Sequence, residues 1–110
     1  MGAAEEKASV LGDAFQERGF QTHVTERYII MGLGASSETV PTEDALLWLR
    51  MSGEDQAIVL VVKPNGSLSF VQGFEQQKEL VTKFLVEMGL AKYLGPHDRT
   101  TWIHRAMRRS

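Results

Sequence analysis

The sequence predicts an α+β fold: a mainly antiparallel sheet of three to four strands with amphipathic helices packed on it, in the order α-β-(β)-α-β-β-α-α. Three observations predict it. Ala57 to Val62 is an unbroken apolar run with three valines and an isoleucine, the pattern of a strand covered on both faces. Lys63-Pro64-Asn65-Gly66 then leads into an alternating stretch from Ser67 to Val71, which makes the pair a hairpin. Two further stretches, 3–18 and 74–88, space their apolar residues at the helical period and end on a glycine.

The totals bound the reading. A chain of 110 residues is predicted to be a single domain over its whole length. An apolar fraction of 43% supports a packed core. Cysteine is absent, so disulfides and thiolate metal sites are excluded, and a cytoplasmic location is expected. No apolar run approaches the length of a membrane helix, and the acidic start of the chain shows no apolar signal region. Residues 1–91 hold 13 acids against 7 bases, whereas residues 92–110 hold 5 bases against 1 acid. That asymmetry is the main charge feature.

In chain order, the first helix is predicted from Ala3 to Arg18, with Val10, Leu11, Ala14 and Phe15 on its buried face. Gly12 reads as an internal weakness of about 1 kcal/mol against alanine. Gly19 is a left-handed stop, and Phe20 folds back on the helix. Phe20 to Leu33 reads as strand, with Glu26-Arg27 in its middle marking a bend, a bulge or a division into two strands. Gly32 to Ser37 is a loop; its glycines lack the spacing of a phosphate-binding turn.

Thr42 to Ser52 is predicted to be a short helix, with Thr42 as its cap, Glu43 and Asp44 in its first turn and Gly53 as its stop. Ala45-Leu46-Leu47-Trp48-Leu49 would make it apolar almost all round, so it should lie between the sheet and another element, or in a subunit interface. In the hairpin, Pro64 and Asn65 suit the corners of a type I turn and Gly66 the positive φ that follows. The helix from Phe74 to Met88 carries an apolar stripe of Leu80, Val81, Phe84, Leu85 and Met88. Gly95-Pro96 breaks the chain, and a last helix is expected over residues 101–108. The element order is similar to that of double-stranded-RNA-binding and secretion-chaperone-like domains. No motif of either is present, and the helix from Phe74 lacks the lysine cluster that an RNA-binding domain carries there.

Candidate chemistry is sparse. His97, Asp98 and His104 are the clustered residues with catalytic vocabulary, since a carboxylate can fix an imidazole tautomer, but no nucleophile lies beside them in sequence. Their number and spacing do not make a metal site, and no cofactor is implied. Trp48 and Tyr28 are candidates to line an apolar ligand pocket against the helix at Thr42–Ser52. Arg99, Trp102, Arg105, Arg108 and Arg109 form a basic, aromatic tail suited to nucleic acid or to an acidic partner surface, although a pI near 5.9 speaks against nucleic acid. The expected function is therefore a small, non-enzymatic interaction module acting as a homodimer. A small-molecule binder or enzyme with a pocket near Trp48 is the first alternative, and nucleic-acid binding through the C-terminal helix the second. The homodimer expectation rests on the helix apolar all round at Ala45–Leu49 and on the doubly apolar strand, whose second face needs a cover.

Overall fold

Consecutive hairpins lay down one four-stranded antiparallel sheet in the order β1-β2-β3-β4. The structure, a computed structural model, describes residues 2–95. Its elements are α1 (Ala3–Gln16), β1 (Phe20–Met31), β2 (Glu38–Met51), β3 (Ile58–Val62), β4 (Leu68–Gln72) and α2 (Glu75–Glu87), with short 3-10 turns at Gly34–Ser36 and Ala91–Tyr93. The α+β class and the antiparallel sheet are those that the sequence predicts. The helix expected over residues 101–108 lies outside the described residues. None of the described helices is long and apolar enough to cross a membrane.

The β3–β4 hairpin forms as its turn residues require. Gly66 N–H donates to the Lys63 carbonyl at 2.9 Å across the Pro64-Asn65 corners, and Gly66 takes φ +92°. Asn65 Oδ1 accepts the Ser67 N–H at 2.9 Å, and Lys63 N–H then pairs with the Ser67 carbonyl at 3.0 Å. Every residue of β3 is buried. Helix α2 ends at Gly89 (φ +73°). There Leu90 N–H reaches Leu85 O at 2.8 Å and Gly89 N–H reaches Val86 O at 3.0 Å, the paired bonds of a Schellman end.

Both helices pack on the same side of the sheet. Ala45, Leu47 and Leu49 of β2 and Ile58, Leu60 and Val62 of β3 meet Ala4, Ala8, Leu11 and Phe15 of α1 and Val81 and Leu85 of α2 in one cluster. Phe15, Phe20 and Phe84 close one end of it with edge-to-face contacts at centroid distances of 5.4 to 6.4 Å. On the opposite face of β3, Val59 and Val61 are also buried within the single chain.

The stretch Thr42–Ser52, expected to be a helix, is instead the second half of β2. Ala45 to Leu49 pairs on both sides, with Glu26 to Thr22 of β1 and with Val62 to Ile58 of β3. A strand hydrogen-bonded on both edges, with one face under the helices and the other half-buried at Leu46 and Trp48, shows the same continuous apolar run as a sandwiched helix, and tertiary pairing overrides the helix propensity of leucine. Thr42 does bind an N–H two residues on, that of Asp44 at 3.1 Å, while donating its own hydroxyl to Arg27 O at 2.9 Å. It thereby fastens a bulge: the β1–β2 register shifts between Glu26 and Tyr28, with Thr42, Glu43 and Asp44 in the extra length of β2. Residues 20–33 hold one strand, β1, and the irregularity suspected at Glu26-Arg27 lies mainly in its partner. Gly53 (φ +85°) is the turn into β3 rather than a helix stop.

The buried face of α1 is also rotated from expectation. Val10 is 72% exposed, and the face against the sheet is Ala4, Ala8, Leu11, Gly12 and Phe15. Small residues at Ala4, Ala8 and Gly12 let the helix lie close on β1 and β2. A Cβ on Gly12 would stand 3.2 Å from Leu47 Cδ1 and 3.6 Å from Thr22. Gly12 therefore permits a close approach, and its low helix propensity is offset by that contact. Replacing it with leucine should destabilise the fold by about 1–3 kcal/mol or more through overpacking, whereas Gly12→Ala should come out near neutral because about 1 kcal/mol of helix propensity opposes a mild clash. Urea unfolding of the two variants checks this; equal stability for Gly12→Leu and wild type would show that α1 does not pack closely there.

Candidate functional site

The β1–β2 hairpin is longer than the helix that covers it. Fourteen residues of α1 rise about 21 Å, while twelve residues of β1 extend about 40 Å. The distal half of the hairpin consequently projects from a molecule 50 Å long and 30 × 25 Å across. Beyond the bulge, Tyr28 pairs with Pro41, Ile29 with Val40, Ile30 with Thr39 and Met31 with Glu38. The tip closes through Gly32 (φ +93°) and the 3-10 turn, and a Cβ on Gly32 would meet Ser36 O at 2.7 Å.

This arm is apolar and bare. Tyr28 is 52% exposed, Ile29 42%, Ile30 75%, Met31 51% and Leu33 88%. Alternation places Tyr28 and Ile30 on one face and Ile29 and Met31 on the other, so neither face of the ribbon is covered. Glu38 is the one charged residue from Tyr28 to Pro41. The base of the arm is pinned by Arg27, whose Nη1 donates to Asp44 Oδ2 at 3.0 Å across the bulge. The edge of β1 faces solvent, with no strand beside it among the described residues. The other edge strand, β4, is partly closed: Leu94 bridges Leu68 in parallel, and Gly95 N–H donates to Leu68 O at 3.1 Å.

A second feature is an apolar cleft of about 470 Å³ between α1 and the β3–β4 turn. Val10, Leu11 and Ala14 form one wall and Val62, Leu68, Leu90 and Tyr93 the other, with Glu6 and Lys7 at the mouth. The Lys7 ammonium donates to the Pro64 carbonyl and ties the helix to the turn.

The sequence-selected residues are dispersed. Trp48 lies in β2 on the face away from the helices, between the buried Leu47 and Leu49, and its indole N–H donates to Thr25 Oγ1 at 2.9 Å. Tyr28 lies on the arm and donates its hydroxyl to Glu26 Oε2 at 2.6 Å. With β2 in place of a helix at Thr42–Ser52, the pocket expected there has no counterpart among the described residues, and neither Trp48 nor Tyr28 lines the cleft. His97, Asp98, Arg99, Trp102, His104, Arg105, Arg108 and Arg109 lie outside the described residues. Among the described residues no group of three or more His, Asp or Glu side chains is placed to hold a metal ion.

Sequence reasoning passed over Ile29, Ile30, Met31 and Leu33. Their signal was an unbroken apolar run, Tyr28 to Met31, at the far end of a strand too long for its helix. Comparison with protein-family models, with curated proteins and with solved structures finds no match.

Glu26 raises the affinity of the Tyr28 phenol for its proton, first by accepting its hydrogen bond and then by its negative charge, with smaller contributions from desolvation and from Glu5. The raised value means that this hydrogen bond to the ionised Glu26 stabilises the arm at neutral pH and up to the ordinary tyrosine range. The contribution is lost as pH rises through the raised value. In an absorbance titration of the two tyrosines, one phenolate should appear late, and Glu26→Gln should bring it back toward the ordinary range. An unchanged titration in that variant would rule out the contact.

Proposed function

We propose that the protein is a non-enzymatic interaction module that acts as a homodimer and docks through the distal half of its β1–β2 hairpin. The observation that supports this reading is the contiguous exposure of Tyr28, Ile29, Ile30, Met31 and Leu33 on a projecting ribbon. Monomers rarely leave a contiguous apolar patch of more than a few hundred Å² in water. At roughly 200 Å² for a fully exposed large side chain, the five residues present about 600 Å² per copy. Two copies would bury at most about 1,200 Å², the lower bound of specific, stable interfaces. A cysteine-free composition supports a cytosolic setting for the module.

Sedimentation equilibrium at micromolar concentration should report a dimer. Ile30→Glu, at a position already 75% exposed, should leave the fold intact and weaken association by about tenfold or more, because burial of each isoleucine is worth about 1.5–3 kcal/mol. A monomeric wild type, or an Ile30→Glu variant that dimerises equally well, would overturn the reading.

The cleft beside α1 favours a second reading, in which the small-molecule site lies there rather than near Trp48. Its volume of about 470 Å³ falls within the range of small-ligand pockets, and its lining is apolar as theirs is. A binding apolar ligand should raise Tm of the wild type and not of Ala14→Phe, whose ring would fill the space. Equal Tm shifts in the two proteins would place the ligand elsewhere.

A further inference from the structure

The geometry points to a specific mode of association: β1 pairs edge to edge with β1 of a second copy, antiparallel, about a two-fold axis at Ile29. The result is one continuous eight-stranded sheet from two four-stranded ones. This inference rests on the homodimer reading and names its interface.

Three observations select the β1 edge. First, β1 runs for twelve residues without lysine or proline, the residues that usually blunt a free edge. Its irregularity is displaced into β2, where Thr42 and Asp44 absorb the extra length, so β1 itself stays regular enough to receive a neighbour. Second, the opposite edge, at β4, is already met by Leu94 and Gly95. Among the described residues each copy thus offers one long open edge, and pairing through it closes after two copies instead of propagating. Third, the exposed apolar side chains fall on both faces of the distal part of β1. A neighbouring strand supplies cross-strand contacts to both faces at once, which a partner lying on one face does not.

Symmetry then restricts the register. A two-fold axis normal to the sheet keeps both copies' helices on the same side, so paired residues must share a face and the axis must pass between one residue and its own copy. Centring on Arg27 sets two guanidinium groups side by side, and centring on Glu26 sets two carboxylates together, both unfavourable. Centring on Tyr28 brings Glu26 opposite Ile30 and Arg27 opposite Ile29, so that charges face isoleucines. Centring on Ile29 brings Ile29 against its own copy on one face and Tyr28 against Ile30 on the other, an aromatic with a β-branched residue. Arg27 then falls opposite Met31, where its aliphatic stem can lie along the thioether while its head keeps Asp44.

The chain has no cysteine, so single-cysteine variants report single distances. In this register the Ile29 Cα atoms lie about 4.5–5.5 Å apart, within disulfide reach, while the Met31 Cα atoms lie about 14 Å apart. Under mild oxidation, Ile29→Cys should lose its monomer band to a covalent dimer and Met31→Cys should not. If sedimentation shows a dimer and Ile29→Cys does not cross-link, the edge pairing is wrong and the homodimer reading stands. If both variants cross-link alike, the register is wrong. If the wild type sediments as a monomer, the homodimer reading and the pairing fall together.

Discussion

The close seating of α1 on β2 is the contact on which the rest of the structure depends. Leu47 is fully buried at the point where Gly12 passes over it. It lies between Val24 of β1 and Leu60 of β3 in the pairing. A bulkier face on α1 would lift the helix and open Ala45, Leu47 and Leu49 to water. Each of those side chains forfeits about 1.5–3 kcal/mol if exposed, less for the alanine. Helix α2 adds Val81 and Leu85 to the same cluster, and Phe84 joins the two helices through the ring cluster with Phe15 and Phe20.

The same seating creates the arm. Because α1 is antiparallel to β1 and rises less than half as far per residue, it cannot cover the whole strand. The bulge at Thr42 marks the transition: proximal to it, Ala45 and Leu47 are buried, and distal to it every residue of β1 from Tyr28 onward is exposed. The hydrogen bonds from Thr42 to Arg27 and from Arg27 to Asp44 fasten the bulge at the base of the ribbon. A ribbon of two strands has little stability in isolation, so an arm with uncovered apolar faces gains most from a partner.

Legibility in the sequence followed how local the deciding physics is. Pro64, Asn65 and Gly66 fix the β3–β4 turn through their own dihedrals and one side-chain bond, and Gly89 fixes the end of α2, so both were readable. Strand β2 was not, because each of its signals has two meanings. A threonine that binds the N–H of the second residue along begins a helix or fastens a bulge, and Ala45 to Leu49 is apolar all round as a sandwiched helix or as an inner strand. What decides is the presence of β1 and β3 on either side, which no local window contains. The buried face of α1 was misread for the opposite reason: Val10 outranks Gly12 in hydrophobicity, yet the packing distance is set by the smallest residue. Of the candidate site, Tyr28 alone was singled out, and for a pocket that β2 replaces.

The structure also moves the ground on which association is argued. From the sequence, the doubly apolar β3 called for a cover on its second face, and a partner subunit was one answer. Val59 and Val61 are buried within the single chain, so that face makes no demand on a second copy. Exposed apolar surface lies instead at Ile29, Ile30 and Met31, on the edge strand past the end of the helix. Exposed large side chains of the body, Val10, Val71, Phe74 and Tyr93, lie apart in sequence, whereas those of the arm run consecutively from Tyr28 to Met31. A partner that meets that ribbon therefore adds burial without disturbing the seating of α1 on β2. On the proposed association through the arm, folding of the body and pairing of two copies are separable, and substitutions on the arm are expected to act on the second while leaving the first in place.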